Sequence, residues 1–155
     1  MSENAKSNPF DGPQLQNTHY ERADMSGANF DGVNLEGAKF YVHMTKAKFS
    51  DTNLAEADFD DVNLANSRFH NVNMSGTSIT YANLGGVTFS ALMTKATFTD
   101  TNLNEANFDD VNLAGARFHN VNLSETTIAD ADLTGMEING VLVTDLFDAY
   151  EKSKN

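Results

Sequence analysis

Large hydrophobic residues return every five positions along most of this chain. In the stretch Asn53–Leu64 they fall at Leu54, Phe59 and Leu64, and a small or β-branched residue precedes each by two places, at Thr52, Ala57 and Val62. Polar residues fill the other positions. A period of five matches neither the alternation of a strand nor the period of about 3.6 of a helix, so no single strand or helix accommodates it. A short extended piece followed by a bend does. If the large apolar residue is called i, then i−2 and i point to one side, i−1 points to the other, and i+1 and i+2 turn the corner.

The pattern begins at Leu15 and runs through Tyr20, Met25, Phe30, Leu35 and Phe40. Its phase then slips by one, resumes from Met44 to Phe89, slips again, and runs from Met93 to Ile138. Each slip reads as a side shortened to four residues, at Tyr41–Met44 and Ser90–Met93, a register that points Leu92 outward. Leu or Met alternates with Phe, Tyr or Ile at the central position, and the alternation survives both slips. Alternation along the chain becomes stacking in space only if a coil has an even number of sides. Four sides, each turning roughly a right angle, is the simplest closed solution, with like side chains in register. A longer repeat is superimposed: Met44–Ile79 matches Met93–Ile128 at an offset of 49, so the two copies face opposite directions on a four-sided coil.

Ala82-Asn83-Leu84, Ala106-Asn107-Phe108 and Ala131-Asp132-Leu133 are similar to the repeat unit of the pentapeptide repeat proteins, and the resemblance covers residues 13 to 143. It implies an all-β fold: a right-handed quadrilateral β-helix, here of about six to seven coils by the four-residue and five-residue sides. The handedness comes from the resemblance. Departures from the family pattern are the two short sides, Pro13 and Met136 at i−2, and many Val residues there.

The ends differ from the body. Residues 1–12 are polar and expected to be a flexible segment, although Phe10 echoes Phe30 and is placed on a first side. Residues 13–143 form the solenoid, with Val141 and Val143 continuing the phase for one further side beyond the Asn139-Gly140 turn. Residues 144–155 are read as a capping or dimerisation helix, N-capped by Thr144 and reaching about Lys152. Leu142, Val143, Leu146, Phe147 and Tyr150 are its candidate contact residues, expected to cover the last coil, to pack against a second copy, or both. Pairing through C-terminal ends is what the family resemblance implies for a homodimer.

Composition narrows function more than it defines it. The chain of 155 residues carries 22 acidic and 10 basic residues, a formal net charge of −12, which disfavours direct nucleic-acid binding. It has no Cys, which removes disulfides and thiolate metal sites. No apolar run approaches the roughly 20 residues that span a bilayer, and Met1–Asn8 has no apolar core of a signal peptide, so a soluble cytoplasmic protein without membrane association is expected.

No catalytic, cofactor or metal constellation is found in the sequence. His70 and His119 are duplicates on opposite faces, and His19 and His43 have no repeated partner. Gly85-Gly86 lacks the Lys of a phosphate loop, and Asp60-Asp61 and Asp109-Asp110 face apart, whereas Ca²⁺ needs convergent oxygens. The outward i−1 positions on the Leu sides are mostly Asn, as expected for stacked amide ladders. Charge concentrates on the Phe sides, and Asp31, Asp51, Asp60, Asp61, Asp100, Asp109, Asp110 and Asp130 form a candidate partner-facing acidic surface. The reading is a non-enzymatic interaction protein, a rigid acidic rod for an unknown protein partner. The alternative is a DNA-mimicking modulator of a type II topoisomerase such as gyrase, a role the resemblance implies for its quinolone-resistance members.

Overall fold

A computed structural model describes residues 12–154. Phe10 lies outside the described residues. The chain winds into a four-sided β-solenoid of about six coils, followed by one short helix. Two opposite faces are parallel sheets. One contains His19–Asp24, Lys39–His43, Asp58–Asp60, Ser78–Thr80, Thr97–Thr99, Arg117–His119 and Glu137–Ile138. The other contains Asn29–Asp31, Lys48–Ser50, Arg68–Asn73, Thr88–Leu92, Asn107–Asp109 and Thr127–Ala129. The remaining two faces carry the Leu and Met sides, whose coils meet through single parallel bridges such as Asn34 with Asn53 and Asn63 with Asn83.

The i and i−2 side chains fill the axis, as the five-residue pattern requires. Phe49, Phe69, Phe89 and Phe108 form one continuous stack, which Phe30 extends, with ring centroids 4.7 to 5.0 Å apart. On the opposite face Tyr20, Phe40 and Phe59 stack, Ile79 interrupts, and Phe98 and Phe118 stack again at 4.6 Å. Offset stacking is imposed by the coil repeat, close to the 4.7–4.9 Å strand spacing of β-sheets. Hydroxyls at i−2 positions donate to the preceding coil: Ser67 to the Met44 carbonyl at 2.8 Å and Thr77 to that of Leu54 at 3.0 Å. Such bonds permit small polar residues in a dry core.

The corners show how a five-residue side bends. The i+2 residue takes a left-handed backbone at corner after corner, as at Asp51, Asp61, Asn71, Asp100 and Asp110, where φ is 49° to 53°. Corners after a Leu or Met side are also closed by a backbone bond from i+3 to i, for example Ala57 N–H to Leu54 O at 3.0 Å. Corners after a Phe side have no such bond. Both short sides fall at the second kind, between Phe40 and Met44 and between Phe89 and Met93, and each lacks its left-handed residue. Removing a residue there breaks no turn hydrogen bond, which is why the coil tolerates a four-residue side at these corners. Leu92 is turned outward, in register with Asn73, as the sequence register predicts.

The C-terminal end departs from expectation. Val141 and Val143 do not continue the coil. Asn139 and Gly140 both adopt positive φ, 49° and 78°, and reverse the chain into a two-residue hairpin that pairs Val141–Leu142 antiparallel with Glu137–Ile138. Positive φ at both central residues suits Asn-Gly and the twist of the hairpin. The helix is Val143–Ser153, with Leu142 at its N-cap and no side-chain cap, so Thr144 lies inside it and caps nothing.

Candidate interaction surface

The two Leu faces are covered by amide ladders. On one, Asn53 Nδ2 donates to Asn34 Oδ1 and Asn73 Nδ2 to Asn53 Oδ1, both at 3.1 Å. On the other, Asn83, Asn102 and Asn122 donate in the same sense to Asn63, Asn83 and Asn102 at 3.0 to 3.3 Å. Each Oδ1 also accepts the backbone N–H two residues on, as Asn83 does from Gly85 at 3.1 Å. A side chain here needs both an acceptor for the turn and a donor for the ladder, which Asn supplies and Asp does not. Asp132 is the terminal member of one column and serves only the turn; bonds from the Thr134 hydroxyl and N–H hold its carboxyl below the usual range.

The eight candidate acidic residues do not share a face. Asp31, Asp51, Asp109, Asp110 and Asp130 lie along the corner that follows the six-stranded sheet. Asp60, Asp61 and Asp100 lie along the diagonally opposite corner. Asp51, Asp61, Asp100, Asp110 and Asp130 are left-handed, a conformation that Asp and Asn enter more readily than most residues. Backbone geometry thus accounts for five of them before any ligand is invoked. Asn71 Nδ2 donates to Asp51 Oδ1 at 2.5 Å, and Asn120 makes the equivalent bond to Asp100 in the second repeat copy. His19, His43, His70 and His119 are all exposed, and no group of three or more metal-ligating side chains occurs among the described residues.

Each short side leaves a notch where a corner residue is missing. The first is bordered by Arg22 and Asp61, with Tyr41 and Tyr81 beside it. The Tyr41 hydroxyl donates to the Asp61 carboxylate, and that bond, with the nearby negative charge, raises the phenol above its ordinary value. Tyr81 occupies a left-handed corner, φ 51°, and is 63% exposed. The second notch has a floor of Val72, Ala91, Leu92 and Val111, and its rim carries Asp51, Asp110, Asp130 and Asp132 with no Lys or Arg. At the end of the rod, Val143 is buried, its N–H bonded to Met136 O at 3.1 Å. Leu142, Leu146, Phe147 and Tyr150 are exposed, Phe147 at 56%, so within one chain the helix does not bury Leu146 and Phe147 as expected of a cap.

The sequence profile of pentapeptide repeats matches residues 10–41, 43–80, 52–90 and 91–128, in 8 copies. The chain belongs to the pentapeptide repeat family. No curated protein matches it. Among solved structures, the pentapeptide repeat protein Rfr23 from the cyanobacterium Cyanothece 51142 is similar over 81% of this chain and 86% of its own, at 23% identity and a TM-score of 0.30. QnrB1, a plasmid-mediated fluoroquinolone resistance protein, is similar over 88% and 89%, at 18% identity and a TM-score of 0.30. A pentapeptide repeat protein of the Arabidopsis thaliana thylakoid lumen covers 82% of this chain and 72% of its own, at 23% identity and a TM-score of 0.25.

As a pentapeptide repeat protein, the chain departs from its own rule at a few surface positions that sequence reading did not single out. Tyr81 takes a corner where Gly, Asn and Asp predominate, and the Tyr41–Asp61 pair depends on a coil-to-coil register. Leu92, which the sequence register already turned outward, stands in a ladder column that otherwise reads Gln14, Asn34, Asn53, Asn73, Asn112 and Asp132. No helix among the described residues is long and apolar enough to cross a membrane.

Proposed function

We propose that this pentapeptide repeat protein is a non-enzymatic interaction protein: a rigid acidic rod that offers flat faces to a protein partner and makes its strongest contacts where the repeat gives out. The observation that carries this reading is the distribution of exposed large apolar side chains. Among the described residues, five of the eight, Val141, Leu142, Leu146, Phe147 and Tyr150, lie together at the C-terminal end. A contiguous apolar patch on an otherwise polar surface marks a contact site. A second copy of the chain, joined end to end as a homodimer, is one occupant. Light scattering and affinity capture from an extract of the source organism test it, comparing the wild type with Phe147→Asp/Tyr150→Asp. The reading expects that self-association or a captured protein is lost in the variant while the β-sheet circular dichroism is kept. Equal mass and equal capture for both proteins would remove it.

A second reading, imitation of duplex DNA toward a type II topoisomerase, is supported by the acidic corners, which place Asp51, Asp110 and Asp130 along one edge of the rod and Asp61 and Asp100 along another. Asn71 and Asn120 interrupt the same columns, and the backbone favours Asp at these corners, so this reading ranks second. It requires inhibition of gyrase supercoiling at micromolar protein, weakened by salt and by Asp60→Asn/Asp61→Asn. No inhibition under those conditions removes it.

A further inference from the structure

The two short sides are equivalent in backbone and opposite in chemistry. At the first, His43 also stands in an amide column, with Asp24 and Asn63 as bridge partners and no side-chain hydrogen bond to either, but that gap is bordered by opposite charges, Arg22 and Asp61. At the second, a leucine interrupts an amide ladder. Leu92 is the bridge partner of both Asn73 and Asn112, yet it can neither donate to Asn73 Oδ1 nor accept from Asn112 Nδ2. The Asn112 amide carbonyl caps Ala114 N–H at 3.0 Å, and its N–H groups, which in the ladder would donate toward the neighbouring coil, meet the leucine. Leu92 is 43% exposed in a position where Asn would be both more soluble and better bonded.

The missing corner residue opens a groove with an apolar floor, and four carboxylates stand on its rim with His70 and no Lys or Arg. Asp132 is held ionised by its Thr134 bonds, and Asp51 is fixed by Asn71. Carboxylates around an apolar slot attract a chain that brings cations on either side of an apolar residue, and the Asn112 N–H groups offer that chain a donor for a backbone carbonyl. We propose that the groove at Ser90–Met93 is a docking site for a basic peptide segment with a central apolar anchor, the anchor seated on Leu92 and flanking Lys or Arg residues paired with Asp110, Asp130 and Asp132. This rests on the interaction-protein reading and names one partner chemistry for it.

The test uses fluorescence polarisation with the full chain and a labelled peptide of four arginines around one leucine. A second peptide has alanine in place of that leucine. The leucine buries more apolar surface than alanine, so the leucine peptide is expected to bind about tenfold more tightly than the alanine peptide. Leu92→Asn should abolish that difference while the melting temperature is maintained or raised, since Asn is the ordinary ladder residue. Asp110→Asn/Asp130→Asn should weaken both peptides and flatten the salt dependence. Tyr41→Ser, at the other short side, should change neither. No binding by the wild type, equal binding of the two peptides, or an unaltered difference in Leu92→Asn would each overturn the groove. Partner capture through Phe147 and Tyr150 is read separately, so loss of the groove leaves the broader function standing.

Discussion

Leu92 is the bridge partner of Asn73 on the neighbouring coil, in a column where Asn53 and Asn73 are joined amide to amide at 3.1 Å. One residue therefore splits a ladder that would otherwise run from Gln14 to Asn112. Leu92→Asn is expected to stabilise the rod by about 1 kcal/mol, the net value of a restored hydrogen bond with less exposed apolar surface. Thermal denaturation followed by circular dichroism checks this; a lower melting temperature would show that Leu92 packs usefully within the chain.

Phe69 lies between Phe49 at 4.7 Å and Phe89 at 5.0 Å and is fully covered. Phe69→Ala should cost about 3–5 kcal/mol, because a rod one coil wide has little neighbouring material to collapse into the cavity. Chemical denaturation measures it. A cost under about 1 kcal/mol would contradict a continuous aromatic stack as the main source of cohesion.

Asp109 and Asp110 are adjacent, exposed and equally charged, but only Asp110 is left-handed, φ 53°. Asp110→Ala is expected to destabilise by about 1 kcal/mol and Asp109→Ala to stay within about 0.5 kcal/mol. Tyr81→Asn, at a left-handed corner of the other edge, should stabilise by a similar amount. If the two Asp substitutions have the same effect, charge and not backbone conformation selects Asp at these corners.

The Tyr41 phenol is raised by its bond to Asp61. Its folded pKa lies above the unfolded one, so the contribution to stability is fully present below the ordinary tyrosine range and is lost as pH rises through the folded value. NMR of ring-labelled tyrosine should show Tyr41 titrating above the ordinary tyrosine range, and Asp61→Asn should bring it down toward that range. Titration of Tyr41 within the ordinary tyrosine range, unmoved by Asp61→Asn, would show that the Tyr41–Asp61 bond is absent in solution.

The body of the fold was legible because each repeat makes the same local decision. Leu54, Phe59 and Leu64 could only be brought to one axis by a bend every five residues, and the Phe–Leu alternation required an even number of sides, of which four is the simplest. The short sides were legible for the same reason: Phe49 and Met93 keep the alternation only if Tyr41–Met44 and Ser90–Met93 count as whole sides. The end was misread because Asn139-Gly140 serves equally as a coil corner and as a tight hairpin, and Val141 and Val143 fit the phase of either. The helix face was visible in Leu146, Phe147 and Tyr150, but whether it covers the rod depends on where the hairpin directs it, which is a tertiary matter. Charge and backbone could not be separated at the acidic corners: Asp51, Asp61 and Asp110 read as a charge pattern in sequence and are also what a left-handed corner selects.

The central claim is that partners contact this rod where its repeat breaks. Site-specific photocrosslinking addresses it most directly, with benzoylphenylalanine placed in turn at Phe147, at Leu92, and at Thr97 on a regular strand of the opposite sheet, in extracts of the source organism. The account predicts discrete crosslinked species from Phe147 and Leu92 and little from Thr97. Equal crosslinking at all three positions, or crosslinking dominated by Thr97, would contradict it.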